Sequence, residues 1–204
     1  LVAKRFGWID VANVLLLVIV ALFYDNAVQA VGKYIGESAF LQTLNFFRYV
    51  FHAFITPLLI LFAWRALTNT DLKWTKRPIV MWSSIILTIS SIGLELAVGV
   101  WGITLEPVWK NGVLRYEHVG QTGLSSIMII VVMVALLFSA LIVWWKQRWA
   151  VYFLGALFMG STPLLNSVLK TDAAHNIAEF LLVSALLATQ YYQQRRKHLF
   201  PQPS

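Results

Sequence analysis

Apolar residues in this chain occur in long blocks, not at the two-residue period of a half-buried strand. Each block holds about 20 residues or more, enough for an α-helix to cross the hydrocarbon core of a bilayer. The blocks predict six spans, at residues 8–31, 40–67, 78–103, 119–145, 149–169 and 173–192. We therefore expect an all-α, polytopic integral membrane protein in which residues 1–204 form a single six-transmembrane-helix bundle.

The connections between the predicted spans are short, except for residues 104–118. This longest connection contains Trp109 and Tyr116 and lies on the outer side in the predicted topology. Aromatic residues of this kind favour the membrane–water interface, which makes the segment an interfacial anchor. The alternative is a lid that closes over a polar pocket.

Composition supports the membrane class. The chain is 59% hydrophobic and 12% charged, whereas a soluble domain carries about 25% charged residues. Nine tryptophans fit the same class, because indole favours the bilayer interface. The sequence contains no cysteine, which excludes disulfides, thiolate metal ligands, iron–sulfur clusters and a thiol nucleophile.

The distribution of lysine and arginine predicts the orientation. Of the 16 basic residues, Arg48 lies inside a span, and four lie on one side: Lys33, Lys110, Arg115 and Lys170. The other eleven flank the opposite side: Lys4, Arg5, Arg65, Lys73, Lys76, Arg77, Lys146, Arg148, Arg195, Arg196 and Lys197. Basic loops stay cytoplasmic, so both termini are predicted to be cytoplasmic in a multi-pass protein of the cell membrane, in bacteria the inner membrane.

The net charge of +7 is therefore explained by topology and by contact with anionic lipid headgroups. A nucleic-acid-binding protein would concentrate its basic residues on one face or along one helix. We expect membrane lipids as partners, and no nucleic acid.

Strongly polar residues within the spans all fall in the half of the membrane away from the cytoplasm, and the cytoplasmic half is predicted to contain essentially none. A charged side chain at the bilayer centre costs about 2.5–3.5 kcal/mol on insertion scales. Such residues should face the bundle interior or a wet cavity, and they predict an outward-facing polar pocket. Its members are Asp25, Arg48, His52, Glu95, His118, Asn166, His175 and Glu179.

Residue chemistry suggests roles for this set. Candidate catalytic residues are the bases and carboxylates His52, Glu95, His175 and Glu179, and candidate substrate-binding residues are Arg48, Asp25, His118 and Asn166. Arg48 remains charged and needs an anion, for which Asp25 and Glu95 are suitably deep. It forms either a structural clamp between helices or a site for a phosphate or carboxylate of the substrate.

The same groups are candidate ligands for a cofactor. His52, Glu95, His175 and Glu179 supply the nitrogen and oxygen ligands that zinc or another divalent metal requires. Haem is disfavoured, because the predicted depths of His52 and His175 differ too much for axial ligation of one iron.

Three functions remain in competition. The first is a membrane enzyme that acts on a lipid-like or anionic substrate at the outer pocket. The second is an accessory subunit of a larger membrane complex that holds lipid, pigment or a partner helix. The third is a small transporter or channel, which a polar path through only half of the membrane disfavours.

Overall fold

The computed structural model describes residues 11–120, 125–169 and 173–199. The chain is mostly helical, at 81%. Four helices in the described ranges are long and apolar enough to cross a membrane: Val14–Ile35, Ala39–Thr68, Pro78–Val100 and Ser126–Gln147. They overlap the first four predicted spans and are compatible with a membrane location, although the first helix extends to Ile35 and residues 119–120 of the fourth predicted span lie in a turn. Residues 8–10 of the first predicted span lie outside the described residues.

Helix α1 covers Val14–Ile35 and follows a 3-10 turn at Val11–Asn13. Helix α2 covers Ala39–Ile55, and its N-terminus is capped by the Ser38 hydroxyl, which accepts a hydrogen bond from the Leu41 amide at 3.3 Å. A 3-10 turn at Thr56–Leu58 leads into helix α3, Leu59–Thr68. Pro57 lies in that turn, where its missing N–H interrupts the α-helical ladder. Helices α2 and α3 together form the second span.

Helix α4 covers Pro78–Glu95 and continues into a π-helical turn at Leu96–Val100. Proline is favoured at a first helical position, because its N–H would be unpaired there anyway. Helix α5 covers Ser125–Gln147. Part of the predicted fourth span, residues 121–124, lies outside the described residues.

The predicted fifth span is two short helices, α6 at Val151–Gly160 and α7 at Thr162–Leu169. The two helices are interrupted at Ser161, two residues before Pro163. Proline has no backbone N–H, so a continuous helix through Pro163 would lose one backbone hydrogen bond. Helix α8, Ala173–Leu199, extends beyond the predicted end of the sixth span at residue 192.

The prediction of an all-α chain is wrong for the long connection at residues 104–118. This segment forms an antiparallel hairpin of strands β1, Leu105–Lys110, and β2, Val113–His118. Asn111 and Gly112 in the turn have φ angles of 52° and 77°. Two consecutive positive φ angles define a type I′ turn, for which Asn-Gly is the preferred sequence. The dipeptide was the local signal for a hairpin.

Two compact units account for the contacts of the chain. The first, which we call the C-terminal unit, consists of Leu1–Leu15, Leu59–Ile85 and Met133–Ser204. Within it, α6 packs closely against α8: a Cβ on Gly155 would lie only 2.5 Å from the Cβ of Ala185. Small residues at such a contact allow two helix backbones to approach, which is how helices associate in membranes. Tyr152 is fully buried, and its hydroxyl lies 2.7 Å from the Ser139 hydroxyl.

The second unit, which we call the hairpin unit, consists of Leu16–Leu58 and Ile86–Val132. Its core joins the hairpin to the two helices before it, through the buried side chains of Val28, Leu41, Leu105, Leu114 and Tyr116. Leu105, Leu114 and Tyr116 lie on one face of the two strands, as the alternation of side chains in a hairpin requires. The hairpin is therefore a packed element of this unit.

We predict that Gly32→Ala destabilises the hairpin unit. A Cβ at residue 32 would clash with the backbone carbonyl oxygen of Leu114, which cannot move without the strand. The overpacking should cost about 1–3 kcal/mol and lower the unfolding midpoint of the purified protein in detergent. Gly93→Ala is the control, because a Cβ there meets nothing within 4 Å. Equal midpoints for the two variants would contradict the close packing.

Candidate functional site

The structure pairs Arg48 with Asp25, one of the two anions that the sequence proposes. The Arg48 Nε lies 2.6 Å from the Asp25 Oδ1, and the side chains are 15% and 30% exposed. Arg48 Nη1 also donates to the Asn45 Oδ1 at 2.7 Å. Asn45 is fully buried and donates to the carbonyl of Leu41 at 2.8 Å. Glu95 is not a partner of Arg48.

Hydrogen bonds continue from Asp25 to the hairpin. Gln29 donates to the second carboxylate oxygen of Asp25 at 2.5 Å and accepts a hydrogen bond from Arg115 Nη1 at 3.3 Å. Arg115 on β2 pairs in turn with Glu117, at 2.6 Å from Nε to Oε1. We call this linked set the polar chain; its six residues are Asn45, Arg48, Asp25, Gln29, Arg115 and Glu117. It connects α2, α1 and β2 and contains two cations and two anions.

The polar chain supports the structural interpretation of Arg48. Both carboxylate oxygens of Asp25 and two nitrogens of the Arg48 guanidinium are committed to partners within the protein. Ion pairs of this kind compensate the desolvation of charges only when geometry is good and the remaining donors and acceptors are satisfied. Arg48 therefore acts as a clamp between α1 and α2, and its role as an anion-binding residue has no support from these contacts.

The two histidines of the hairpin unit have different surroundings. His52 is exposed on α2, and its Nδ1 lies 3.1 Å from the Thr56 hydroxyl. The backbone N–H of His118 donates to the Tyr49 hydroxyl at 3.0 Å, and the two rings meet edge to face. The His118 Nδ1 is buried and has no hydrogen-bond partner among the described residues.

Glu95 is the most isolated of the predicted site residues in the hairpin unit. It lies at the end of α4, is 7% exposed, and is followed directly by the π-helical turn. Its Oε2 has no hydrogen-bond partner within the described part of the chain. Its Oε1 faces Gly99, where a Cβ would lie only 2.5 Å away. The side chain therefore folds back over the turn, against a position that carries no side chain.

The remaining predicted residues belong to the C-terminal unit. His175 and Glu179 form an ion pair one helical turn apart on α8, with 3.3 Å between Nε2 and Oε1. The histidine side chain is 45% exposed. Asn166 lies on α7, and its side chain falls outside the described part of the chain.

The predicted metal ligands do not form a cluster. Over residues 11–120, 125–169 and 173–199, no group of three or more His, Asp or Glu side chains could hold a metal ion. His175 and Glu179 make a pair, and His52 and Glu95 have the separate surroundings described above. The contacts give a divalent metal at His52, Glu95, His175 and Glu179 no support.

The C-terminal unit also contains a group of buried amides that the sequence pattern did not predict. Gln193 donates to the Ala66 carbonyl and to the Gln147 Oε1, both at 3.0 Å, and accepts from Asn69 at 3.0 Å. Gln190, inside the predicted sixth span, is also buried. Asn69, Gln147 and Gln193 lie just outside the predicted spans, so these contacts extend beyond the positions at which the sequence predicts intramembrane polar groups. Their signal was the spacing of glutamines in "TQYYQQ", which places Gln190, Gln193 and Gln194 on neighbouring positions of one helix face.

We predict that breaking the Arg48–Asp25 pair is more harmful than removing it. Asp25→Asn should cost about 1.5–3 kcal/mol, the range for hydrogen bonds to charged groups, because Arg48 loses its counter-ion. The double variant Asp25→Leu with Arg48→Met should recover part of this loss, since it leaves no unpaired charge. Unfolding midpoints in detergent measure both effects.

The control for this cycle is the Asp71–Lys76 pair, at 3.6 Å with side chains 52% and 58% exposed. Asp71→Asn should leave the midpoint unchanged, because exposed ion pairs contribute little, and asparagine tolerates the φ of 62° at this position. The clamp would be refuted if the loss of stability in the double variant equalled the sum of the losses in Asp25→Leu alone and Arg48→Met alone.

In comparisons with known proteins, no protein-family model, no curated protein and no solved structure matches the chain.

Proposed function

We propose that this chain is a six-span protein of the cell membrane, with both termini cytoplasmic, that binds the polar group of a lipid-like ligand at Glu95. The observation that carries the binding proposal is the Glu95 Oε2, a buried carboxyl oxygen without a hydrogen-bond partner among the described residues. Ionisable residues inside membrane spans are rare and usually functional. An unpaired polar atom in such a place requires an explanation, and a bound ligand provides one.

The surroundings of Glu95 support a binding role. The buried polar residues of α4 are Thr88, Ser91 and Glu95, whose spacing of three and four places them along one helical stripe. The stripe ends at the π-helical turn, which packs against α2. π-helical turns inside helices occur frequently at functional sites, because they redirect side chains and free backbone groups. A polar stripe that ends in an unpaired carboxyl group suits a ligand with an apolar body and one polar group.

The alternative binding residue, Arg48, is already occupied by Asp25 and Asn45. An anionic ligand at Arg48 would have to displace Asp25, whose carboxylate would then lose its cation. That exchange leaves a buried charge without a partner and is costly. The polar chain therefore favours a ligand at Glu95 over an anionic ligand at Arg48, and we assign no chemical step to either residue.

The six-span topology rests on the helices after residue 150. Charge supports cytoplasmic termini but does not distinguish six crossings from four, because both place all eleven flanking basic residues in the cytoplasm and four place Lys170 there as well. Helix α6 is apolar but only 10 residues long, and it reaches a crossing length only together with α7. Helix α8 has 27 residues, enough for a crossing and a cytoplasmic extension that carries Arg195 and Arg196.

We predict that Glu95→Leu removes a bound lipid, because leucine has neither the charge nor the hydrogen-bonding groups of the carboxyl side chain. Native mass spectrometry of the protein released from nanodiscs of defined phospholipid should detect a lipid adduct on the unchanged chain. The adduct should fall at least about tenfold in Glu95→Leu, the equivalent of about 1.4 kcal/mol. Glu106→Leu is the matched control, because Glu106 is exposed on β1. An adduct of equal intensity in both variants would exclude Glu95 as the binding residue.

Single cysteine substitutions test on which side of the membrane each connection lies. The sequence contains no cysteine, so a maleimide reagent would label only the introduced residue. In intact cells, an impermeant maleimide should label Glu106→Cys and Lys170→Cys, and it should label Lys73→Cys only after lysis. Lys170 is decisive, because a four-span chain keeps it in the cytoplasm. Labelling of Lys170→Cys only after lysis would disprove the six-span topology.

A further inference from the structure

We infer that Glu95 is a neutral, proton-carrying acid and that its ligand offers an uncharged hydrogen-bond acceptor, such as an ester carbonyl, and not a cation. This inference rests on the proposed binding role of Glu95 and specifies the chemistry of the ligand. Four observations carry it: the burial of Glu95, its lack of a cation partner among the described residues, its isolated Oε2, and its contact with Gly99.

Asp25 and Glu179, the other two acidic residues of the predicted site, differ from Glu95 because each has a charged or titratable partner. Asp25 is balanced by Arg48 at 2.6 Å and by Gln29 at 2.5 Å. Glu179 has His175 at 3.3 Å, and both are partly exposed. Glu95 is more than nine-tenths buried, and no lysine, arginine or histidine of the described ranges pairs with it. It is therefore the intramembrane carboxyl group whose charge the described protein does not compensate.

Burial without compensation selects the protonated form. Moving an isolated carboxylate out of water is so costly that such a group neutralises itself instead of remaining charged. A neutral carboxylic acid has one O–H donor and keeps some acceptor capacity, whereas a carboxylate can only accept. The change of form decides the class of ligand: a carboxylate would attract an ammonium group, and an acid donates to a carbonyl or ether oxygen.

The two carboxyl oxygens of Glu95 have different surroundings. The Oε1 faces Gly99 in the π-helical turn, with no room for a Cβ at that position. The Oε2 is the atom without a partner among the described residues. Gly99 thus provides the space that the carboxyl group occupies, and Gly99→Ala should displace the group without removing it.

Dicyclohexylcarbodiimide tests the protonation state, because this apolar reagent needs a carboxylic acid that supplies its own proton. The O–H adds across one C=N bond: the carboxyl oxygen bonds to the central carbon, and the proton moves to nitrogen. The acyl group then shifts from oxygen to nitrogen and gives a stable N-acylurea, with no leaving group and no further reactant. Peptide mass spectrometry of the full-length protein in nanodiscs locates the adduct.

We expect the adduct at Glu95 in the unchanged chain and its loss in Glu95→Gln. Gly99→Ala should lower the labelling rate at Glu95 at least about threefold, while Gly93→Ala, where a Cβ meets open space, should leave it unchanged. Excess diacylglycerol, which has ester carbonyls and no charge, should protect Glu95. Dodecyltrimethylammonium, which is a cation with no hydrogen-bond acceptor, should not.

Absence of an adduct at Glu95 would overturn the neutral acid, as would protection by the ammonium compound. Equal labelling in Gly99→Ala and Gly93→Ala would overturn the role of Gly99. These failures differ from a failure of the proposed function, which is measured by lipid retention without the reagent. A chain that loses its lipid in Glu95→Leu but never reacts with the carbodiimide binds its ligand through a carboxylate.

Discussion

Every polar group that enters a hydrocarbon layer must find its hydrogen bonds within the protein, because no water is present to provide them. This constraint explains the polar chain from Asn45 to Glu117, in which each side chain satisfies the next and the formal charges cancel. The same constraint makes Glu95 exceptional, since it is more deeply buried than Asp25 or Glu117 but its second oxygen lacks a partner in the described residues. The polar chain stabilises the fold, and the unpartnered carboxyl group is the basis of the proposed ligand site.

The hairpin shows how the constraint reaches beyond the spans. Arg115 of β2 donates a hydrogen bond to Gln29 of α1, and Gln42 of α2 donates to the Leu105 carbonyl of β1, both at 3.3 Å. The apolar face of the strands packs on the helices through Leu105, Leu114 and Tyr116. Polar and apolar contacts thus hold the same element, which explains why a segment between two apolar helices is ordered against them.

Sequence patterns predicted the long apolar helices, which depend on composition over many residues. They did not predict features that depend on a few residues, such as the hairpin and the buried amides. Four spans were predictable, because blocks of apolar residues tolerate errors of a few positions at either end. The pair of Arg48 with Asp25 followed from matched depth, but depth could not distinguish Asp25 from Glu95, since the choice depends on which helix faces α2. The hairpin was missed although Asn111-Gly112 signals it, because short alternating strands give a weak pattern. The buried amides were missed because glutamine at the end of a span is usually solvated, whereas Gln193 has three partners within 3.0 Å.

The type I′ turn at Asn111-Gly112 has a consequence for changes in chain length. With two residues in the turn, the register of Leu105 opposite His118 is fixed, and a single deletion within either strand would turn its side chains to the opposite face. A deletion in β2 would make Arg115 and Leu114 exchange sides, so the salt-bridged face and the apolar face of this strand would both be lost. The hairpin therefore behaves as an element of fixed length, in which an epitope or a reporter is tolerable at the turn and nowhere along the strands.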